Sequence, residues 1–383
     1  MKIAGIICEY NPFHLGHGKQ IRFLKDRGYA VVCLMSGNFV QRGAPAIFDK
    51  AARARAAVDC GADLVLELPV TYALSSAEGF AAGGVEILSK VCDTLCFGAE
   101  TADAQALLQA ARVLLQPEFS LALRTELGKG VSFPAARAAA LETLGVDREL
   151  VETPNNILAV EYCKAVLSQD SKLEILPIFR PGSYHETTAD AENPSASSLR
   201  ILIKQKKNWG NYVPQPAFEV QNIAQIHATE FGERAILTSL RTLSEEAFED
   251  LPYGSEGLWR KLMHASRKEC NLESIATATK SKRYTRSRID RMLLCAFLGL
   301  TERDFKSPVP YCRILGFNDT GRAILSQARE NGFFANIGSD THHPYQALER
   351  RCDSLYGLFS QDIEPPDAHQ RYRVYYSKST TKV

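Results

Sequence analysis

The first 22 residues constrain the fold of this chain more than any other stretch. Residues 2–7 form a short apolar run that is typical of a buried parallel strand. Pro12 ends the run, and a helical pattern begins within the next few residues. A strand, a tight loop and a helix N-terminus predict a βα unit in which free backbone N–H groups and the helix dipole bind an anion.

Two histidines and a glycine lie at the start of that helix. His14 and His17 are three residues apart, so both lie on one side of the first turn and can donate hydrogen bonds to phosphate oxygens. Gly16 lets the backbone approach the anion closely. By itself the pair is equally compatible with two surface histidines in a loop. The strand before it and the helix after it favour a phosphate site.

Short apolar strands and helical patterns alternate as far as about residue 205. The pattern predicts helices at 49–60, 76–90, 102–116, 119–128, 131–144 and 157–168, and strands at 29–35, 64–69, 94–97 and, as the last one, 173–178. Such alternation is typical of an α/β fold with a doubly wound parallel sheet. Ligands of these sheets bind beyond the carboxyl ends of the strands. We therefore expect four loops to converge on one site: 8–17, 36–43, 98–100 and 180–185.

Beyond about residue 206 the strand pattern stops and helical periodicity remains, for example at 284–299 and 320–330. We therefore predict an α/β domain over 1–205 and an all-α domain over 206–383. The first carries 20 basic and 23 acidic residues, a net charge of −3, and the second carries 25 and 21, a net charge of +4. This asymmetry is too mild to indicate nucleic-acid binding by itself.

One segment of the second half is strongly basic. The segment 280–291 contains six basic residues and one acidic residue, with Tyr284 among them. A charged helix face is most often only solvated, but this density of cations with an aromatic residue suits an RNA backbone. The segment 371–376 repeats the mixture of basic and aromatic residues. We predict RNA contacts for Lys280, Lys282, Arg283, Arg286, Arg288 and Arg291.

Composition excludes several classes of protein. Hydrophobic residues make up 45% of the chain and charged residues 23%, as in ordinary globular proteins. No apolar run approaches the roughly 20 residues that span a bilayer, so we expect a cytoplasmic protein with no membrane partner. The ten cysteines show no Cys-x-x-Cys spacing, which indicates reduced thiols rather than disulfides or a zinc site. We predict no metal-ligating set.

His-x-Gly-His behind a first strand is the signature of the HIGH-type nucleotidyl transferases. The longer stretch Gly5–His17, together with Met35–Gly43, closely resembles the bacterial tRNA(Met) cytidine acetate ligase family. The resemblance continues through Asp63–Pro69, Phe97–Glu100, Pro154–Leu158, Ser195–Arg200, Lys282–Ile289 and Arg313–Asn318. It implies a Rossmann-like HIGH-type ATP-binding catalytic domain over 1–205, followed by a mostly α-helical tRNA-binding domain over 206–383.

The resemblance also implies site residues. HIGH-type adenylyltransferases carry a Ser-rich motif, ending in Arg or Lys, that closes over the ATP phosphates. Serines at a helix N-terminus are usually only caps. Here the resemblance favours a role in catalysis instead. The catalytic set that it implies is His14, His17, Ser197, Ser198 and Arg200. The sequence departs from the family's pattern at Pro181, where a second polar or basic residue is expected after Arg180. The implied ATP site comprises Ile7, Cys8, Glu9, Tyr10, Asn11, Pro12, Phe13, His14, Leu15, Gly16, His17, Gly18, Lys19, Gln20, Gly98, Asn156 and Arg180.

The activity that the resemblance implies has two steps. Acetate is adenylated with ATP, and the acetyl group then passes to the wobble cytidine of elongator tRNA(Met) to form N4-acetylcytidine. The implied substrates and partners are ATP, with Mg²⁺, acetate and that tRNA. The residues leave two alternatives open: a small-molecule adenylyltransferase of cofactor biosynthesis, which has no need of a basic helical domain, and a non-catalytic RNA-binding protein. The intact histidines and Arg200 argue against the second alternative.

Overall fold

A computed structural model describes residues 1–180, 195–328, 332–336, 343–370 and 372–378. Its strands, in chain order, are β1 (Ile3–Cys8), β2 (Ala30–Ser36), β3 (Phe39–Val40), β4 (Ala44–Pro45), β5 (Leu64–Leu68), β6 (Thr94–Ala99), β7 (Glu174–Phe179), β8 (Cys312–Phe317), β9 (Phe334–Asn336) and β10 (Tyr375–Tyr376). The predicted strands of the first half all form, with ends that shift by one or two residues.

Helices make up most of the remaining described chain. In the first half they are α1 (Leu15–Lys25), α2 (Lys50–Asp59), α3 (Val70–Ala73), α4 (Ala77–Leu88), α5 (Ala104–Leu114), α6 (Pro117–Gly128), α7 (Phe133–Thr143), α8 (Glu149–Glu152), α9 (Pro154–Ser168) and α10 (Ala196–Lys204). In the second half they are α11 (Gln215–Gln221), α12 (Thr229–Thr242), α13 (Glu245–Glu249), α14 (Leu258–Lys268), α15 (Leu272–Thr279), α16 (Arg286–Leu298), α17 (Glu302–Lys306), α18 (Asp319–Ala328) and α19 (Pro344–Tyr356). None of the helices within the described ranges is both long and apolar enough to cross a membrane.

The central sheet has the strand order β10-β8-β5-β2-β1-β6-β7, with β9 paired to β8. Strands β5, β2, β1, β6 and β7 are all parallel. The register of the central pair joins Ile3 to Ala30 and Cys8 to Met35. In chain order, β2 and β5 are added on one side of β1, and β6 and β7 are then added on its other side. The prediction of a doubly wound parallel sheet is confirmed.

Both faces of the sheet are covered, because successive side chains of a strand point to opposite faces. Ile7 and Leu34 lie in a core that α4, α5 and α9 complete. Ile6 and Met35 lie in a second core, against α2, α10 and α11. Each fully buried aliphatic side chain of this kind contributes about 1.5–3 kcal/mol, so the uninterrupted apolar runs of β1 and β2 fix them at the centre of the sheet.

The prediction that 173–178 is the last strand, and that the second half is all-α, is wrong. Cys312–Phe317 form β8, which pairs antiparallel with β5 at the edge of the central sheet, and β9 and β10 pair with β8. Beyond β8, Asn318 donates from its side chain to Asp63 over 2.9 Å. The charged Arg313 interrupts the apolar run, so the pattern of β8 is not that of a buried strand. The division of the chain at 205/206 into two domains stays a prediction.

The helices of the second half form a third core that also includes residues of the first half. It joins α12, α14, α15, α16 and α19, and it includes Phe39 of β3 and Leu74. The contact is close at Gly43, whose φ is +76° and where a Cβ would lie 2.4 Å from the backbone nitrogen of Arg291. Arg291 also donates to the carbonyl of Gln41 over 3.2 Å. The motif Gln41-Arg42-Gly43 is thus a packing contact with α16.

A network of buried charges ties β8 and α19 to the start of α2. Lys50 Nζ lies 2.7 Å from each carboxylate oxygen of Asp353 and 3.1 Å from Glu67. Arg313 lies 2.7 Å from Glu67 and 3.0 Å from Asp353, and its Nε is 3.3 Å from Glu349. All five side chains are buried. Burial raises the pKa of Glu349 to about 7, although Arg313 opposes the shift.

Candidate active site

The candidate site lies at the topological switch point of the sheet, between β1 and β6, where the strand order reverses. Because β1, β2, β6 and β7 are parallel, the loops that follow them meet at one edge, as predicted for the described residues of these loops. Arg180, directly after β7, donates its N–H to the carbonyl of Ala99 over 2.8 Å. Its side chain lies over Gly98, where a Cβ would be 3.1 Å from Arg180 Cδ. Residues 181–185 of the predicted loop, with Pro181, lie outside the described residues.

His14 is the N-cap of α1, and its ring is held by the backbone. Its Nδ1 accepts from the N–H of Gly16 over 3.1 Å, while its own N–H donates to Nδ1 of His17 over 3.2 Å. The two rings stack with their centroids 3.7 Å apart. A Cβ at Gly16 would lie 3.0 Å from His14 Cε1, so glycine permits this approach. Since both Nδ1 atoms accept hydrogen bonds, the proton of each neutral ring is on Nε2.

The histidine pair is kept neutral by its surroundings. Burial lowers the pKa of His14 to about 3, and the charges of Arg180 and Arg200 act in the same direction. Burial also lowers the pKa of His17, with contributions from His14 and Arg180. His14 Nε2 is buried and has no hydrogen-bond partner among the described residues. A neutral donor left open in this way, beside two arginines, is suited to an anionic ligand that reaches the loop.

These shifts predict an acid sensitivity of folding. In the unfolded chain His14 takes up a proton below its ordinary pKa of 6.5, whereas the folded chain resists protonation down to about 3. Stability should therefore fall as the pH drops through this window, by up to about 1.4 kcal/mol per pH unit for one group. We expect His14→Asn, which keeps an N-cap, to flatten this fall in urea unfolding.

The control for that experiment is His264→Asn on the exposed side of α14, which should leave the pH dependence unchanged. An equally steep acid loss of stability in the His14→Asn variant would show that the imidazole of His14 is not its source.

The Ser-rich motif meets the first motif through Arg200. Arg200 donates to the carbonyl of Asn11 over 2.7 Å and to the hydroxyl of Ser197 over 2.9 Å. Ser197 is exposed beside this guanidinium, whereas Ser198 is buried and its hydroxyl donates to the carbonyl of Ser195. Ser195 is the N-cap of α10 and accepts from the N–H of Ser198 over 3.1 Å. The structure thus brings Ser197 and Arg200 to the loop, while Ser198 serves the cap.

The other predicted ATP-binding residues differ in what they contact. Tyr10 and Phe13 pack against the His17 ring at 4.8 and 5.6 Å between ring centroids. Gln20 donates weakly to the carbonyl of Cys96 over 3.5 Å, which places it beside β6. Asn156 is buried and its amide group bonds to Thr101 and to the carbonyl of Glu149. Ile7, Cys8, Glu9, Asn11, Pro12, Leu15, Gly18 and Lys19 complete the loop and the first turns of α1.

The sequence predicts that helix α9 starts at residue 157, but in the structure it starts at Pro154. The carboxylate of Glu100 accepts the N–H of Asn156 over 2.7 Å and the hydroxyl of Thr153 over 2.9 Å, so it takes the place of a cap at the N-terminus of the helix. The N–H of Asn156 thus bonds to Glu100 and its side chain bonds to Thr101, and these contacts hold the loop after β6 against α9.

Sequence reasoning missed Arg53, which supports two of the converging loops. It is fully buried in α2, and it donates to the carbonyls of Glu9 over 2.6 Å and Ser36 over 3.0 Å, and also to that of Gly37. Its Nε donates to the carbonyl of Phe48 over 2.9 Å. Arg53 and Arg55 alternate in an alanine-rich helix, and this pattern does not reveal which of them is buried.

The basic segment divides into exposed and internal residues. Arg288 donates to the carbonyl of Tyr253 over 2.6 Å, and Arg291, 8% exposed, contacts the loop of Gln41. Arg286 is paired with Glu273 and with Asp290 of its own helix at 2.8 Å each. Lys280, Lys282 and Arg283 are exposed. Arg371, at the start of the second basic segment, lies outside the described residues.

Comparisons with known proteins show the family of this chain. The sequence model of the HIGH Nucleotidyl Transferase family matches residues 1–371. A tRNA(Met) cytidine acetate ligase of Clostridium acetobutylicum is 35% identical over 97% of this chain and 99% of its own length. The protein of that name from Caldanaerobacter subterraneus subsp. tengcongensis is 39% identical over 86% of both chains.

Two solved structures of Thermotoga maritima TmcAL extend the likeness to three dimensions. The apo structure has a TM-score of 0.90, and the structure bound with alpha-thio ATP has a TM-score of 0.86. Each is 30% identical in sequence and covers 99% of this chain and 100% of its own. The chain therefore belongs to the HIGH nucleotidyl transferase family, among the tRNA(Met) cytidine acetate ligases.

Proposed function

We propose that this protein activates acetate with ATP and transfers the acetyl group to the wobble cytidine of elongator tRNA(Met), forming N4-acetylcytidine. The observation that carries the proposal is His14 Nε2, a buried donor at the switch point of the sheet that has no partner in the part of the chain that the structure describes. The ring stacks on His17, and Arg180 and Arg200 lie close enough to lower its pKa. The names of the relatives and the ATP analogue bound to TmcAL support this substrate class.

In the first step an oxygen of acetate attacks the α-phosphorus of ATP, and the bond to the bridging oxygen of pyrophosphate breaks. His14 and His17 donate from Nε2 to the phosphate oxygens, where negative charge accumulates. Arg200, with Ser197 at 2.9 Å, offsets the charge that develops on pyrophosphate. Because both imidazoles stay neutral, they act as donors and not as acids, so the step depends on position and electrostatics.

In the second step the exocyclic amine of cytidine attacks the carbonyl carbon of acetyl-adenylate. AMP leaves with the electron pair of the broken carbon–oxygen bond, and the amine loses a proton to solvent. No covalent intermediate with the protein is needed. Cys8, the last residue of β1, is unsuited to carry an acyl group, because burial raises its pKa and keeps it protonated.

Magnesium enters this proposal as part of the substrate, MgATP. Mg²⁺ keeps phosphate oxygens and water in its coordination sphere and needs only one or two carboxylates from the protein. Glu9 supplies a carboxylate at the carboxyl end of β1, where its Oε1 also accepts from the N–H of Gln41 over 2.9 Å. The chemistry of the loop therefore fits this ion.

The basic segment is the proposed contact for tRNA, through its exposed residues. Replacing Lys280, Lys282 and Arg283 by glutamine should weaken tRNA(Met) binding and lower the slope of log K against log salt by about 2 to 3, because each lost phosphate contact contributes about 0.7–0.9. Filter binding across a salt series measures both quantities. Lys306→Gln, an exposed lysine of α17 with 73% of its side chain accessible, is the matched control. A slope unchanged in the triple variant would contradict this placement of the tRNA.

The test of carboxylate activation is ATP–pyrophosphate exchange without RNA. We expect exchange that requires acetate. Exchange that instead requires a nucleoside monophosphate would favour the small-molecule adenylyltransferase.

A further inference from the structure

Three side chains meet away from the candidate active site, at a junction of two distant segments. His227 Nε2 and His369 Nε2 each lie 2.8 Å from the same oxygen, Oε2 of Glu364. The three atoms all lie within 4.8 Å of one another. Glu364 is 137 residues from His227 in sequence but only five from His369. Because His227 is so far from the other two residues and none of the three is a cysteine, the group shows no zinc-type spacing in the sequence.

The hydrogen bonds of His227 are the unusual feature of this group. Its Nδ1 lies 3.2 Å from the backbone carbonyl of Gln225, which can only accept, so Nδ1 carries a proton. Its Nε2 faces the carboxylate of Glu364. If the ring is neutral, two lone pairs face each other there. If the ring is charged, a cation sits in a side chain that has no exposed surface.

The surroundings disfavour the charged ring. The side chain of His227 has no exposed surface, and the carboxylate oxygen that faces it is shared with His369. A charged ring there loses its hydration and has only a share of one carboxylate oxygen to replace it. Tyr356 covers one face of the ring, with 4.0 Å between ring centroids.

A metal ion resolves this conflict. A histidine that binds a metal through one nitrogen nearly always donates its other N–H to a carbonyl or carboxylate, and the contact of His227 Nδ1 with Gln225 has this form. We propose that His227, Glu364 and His369 bind a divalent transition metal of the zinc type, with a water molecule as fourth ligand. Two imidazoles and one carboxylate form an established ligand set for zinc.

The three ligand atoms must shift to accept the ion. Tetrahedral zinc with bonds of about 2.0 Å separates its ligand atoms by about 3.3 Å. The two contacts of 2.8 Å must therefore open by about half an ångström. The two histidine nitrogens, which lie within 4.8 Å of each other, must reach about the same separation. The carboxylate is partly exposed, at 22% of its side chain, so the ion and its water can reach the site.

The position suggests a structural role. The N–H of His227 donates to the carbonyl of Ile47, and the N–H of Ile47 donates to the side chain of Asn11, both over 2.8 Å. Tyr356 donates to the carbonyl of Ala46 over 2.7 Å. The ion would join the C-terminal segment to the linker before α12, at the segment that supports the loop of the active site.

The test is a metal titration of the full chain after its affinity tag has been removed and its metals stripped with a chelator. We expect one zinc ion per chain by elemental analysis, a rise in the unfolding temperature on zinc addition, and a visible cobalt spectrum of tetrahedral type. Glu364→Gln and His369→Gln should each weaken zinc binding at least ~100-fold, beyond the loss typical of an outer contact. His264→Ala, on the exposed side of α14, should bind zinc as the parent does.

Two results would overturn the proposal. One is a parent chain that binds no zinc and gives no cobalt spectrum. The other is zinc binding that is equally tight in both ligand variants, which would place the ion elsewhere, for example at the exposed Cys270. If a variant fails to fold, the stoichiometry and cobalt spectrum of the parent still decide the question.

Discussion

Replacing His17 by alanine should lower acetate-dependent ATP–pyrophosphate exchange at least ~100-fold, the scale for one donor that stabilises developing charge. His17 Nδ1 accepts from the N–H of His14 over 3.2 Å, which leaves Nε2 as the donor. The ring also supports the stacked ring of His14 at 3.7 Å. The loss should appear mainly in the rate of the chemical step, because charge on the α-phosphate grows most in the transition state.

A second variant separates catalysis from folding. His14→Asn retains a side chain that caps α1 but lacks the Nε2 donor, so it should fold normally and lose exchange to a similar degree. His264→Ala, on the exposed side of α14, is the matched histidine control and should keep full exchange. Near-normal exchange in His17→Ala, measured with a thermal unfolding curve like that of the parent, would contradict the role assigned to this ring.

Replacing Lys50 by methionine should destabilise the chain by about 3–5 kcal/mol, because removal of one partner leaves buried charges uncompensated. Lys50 Nζ contacts both oxygens of Asp353 at 2.7 Å. Without it, the positive charge of Arg313 remains against three carboxylates, Glu67, Glu349 and Asp353. Methionine fills the volume of the lysine stem, so the loss reports on charge rather than on a cavity.

The control for Lys50 is Lys306→Met. Lys306 pairs with Glu302 at 2.7 Å, but both side chains are more than half exposed, and such pairs contribute little. Urea unfolding at neutral pH should show a large shift of the midpoint for Lys50→Met and almost none for Lys306→Met. Equal stability of the two variants would show that the buried network does not hold α19 to the sheet.

Local patterns predict the sheet domain well for a physical reason. The uninterrupted apolar runs of β1 and β2 can only be buried, and the residues that end them, such as Pro12, mark the loops at the carboxyl ends. The sequence also places His14 and Arg200 in phosphate motifs. That Arg200 donates to the carbonyl of Asn11, 189 residues away, depends on the strand order and was beyond any local pattern.

What the sequence did not predict is mostly buried charge. Arg53, Arg291 and Arg313 look like surface residues in a helix or strand pattern, yet each is at most 9% exposed, because carbonyls or carboxylates from distant segments surround it. A pattern based on polarity assigns such residues to solvent. For this reason it missed β8 and did not reveal that Arg291 is buried. The RNA contacts of the basic segment stay a prediction.

The same limit applies to Ser198. Its place in a Ser-rich motif predicts a phosphate contact, and the structure places its hydroxyl within the cap of α10, 2.9 Å from the carbonyl of Ser195. Its neighbour Ser197 is exposed beside Arg200. Adjacent residues of a helix face different sides, and the sequence alone does not say which of the two serines is exposed. The phosphate contact of Ser198 stays a prediction.

Transfer of labelled acetate to purified elongator tRNA(Met), with MgATP and the full chain, is the decisive test of the proposed activity. We expect label in the RNA, recovered as N4-acetylcytidine at the wobble position, with one AMP formed per acetyl group. We also expect the label to disappear when His17 is replaced by alanine. ATP turnover that leaves the tRNA unlabelled, in the presence of acetate and with the parent chain intact, would contradict the proposed activity.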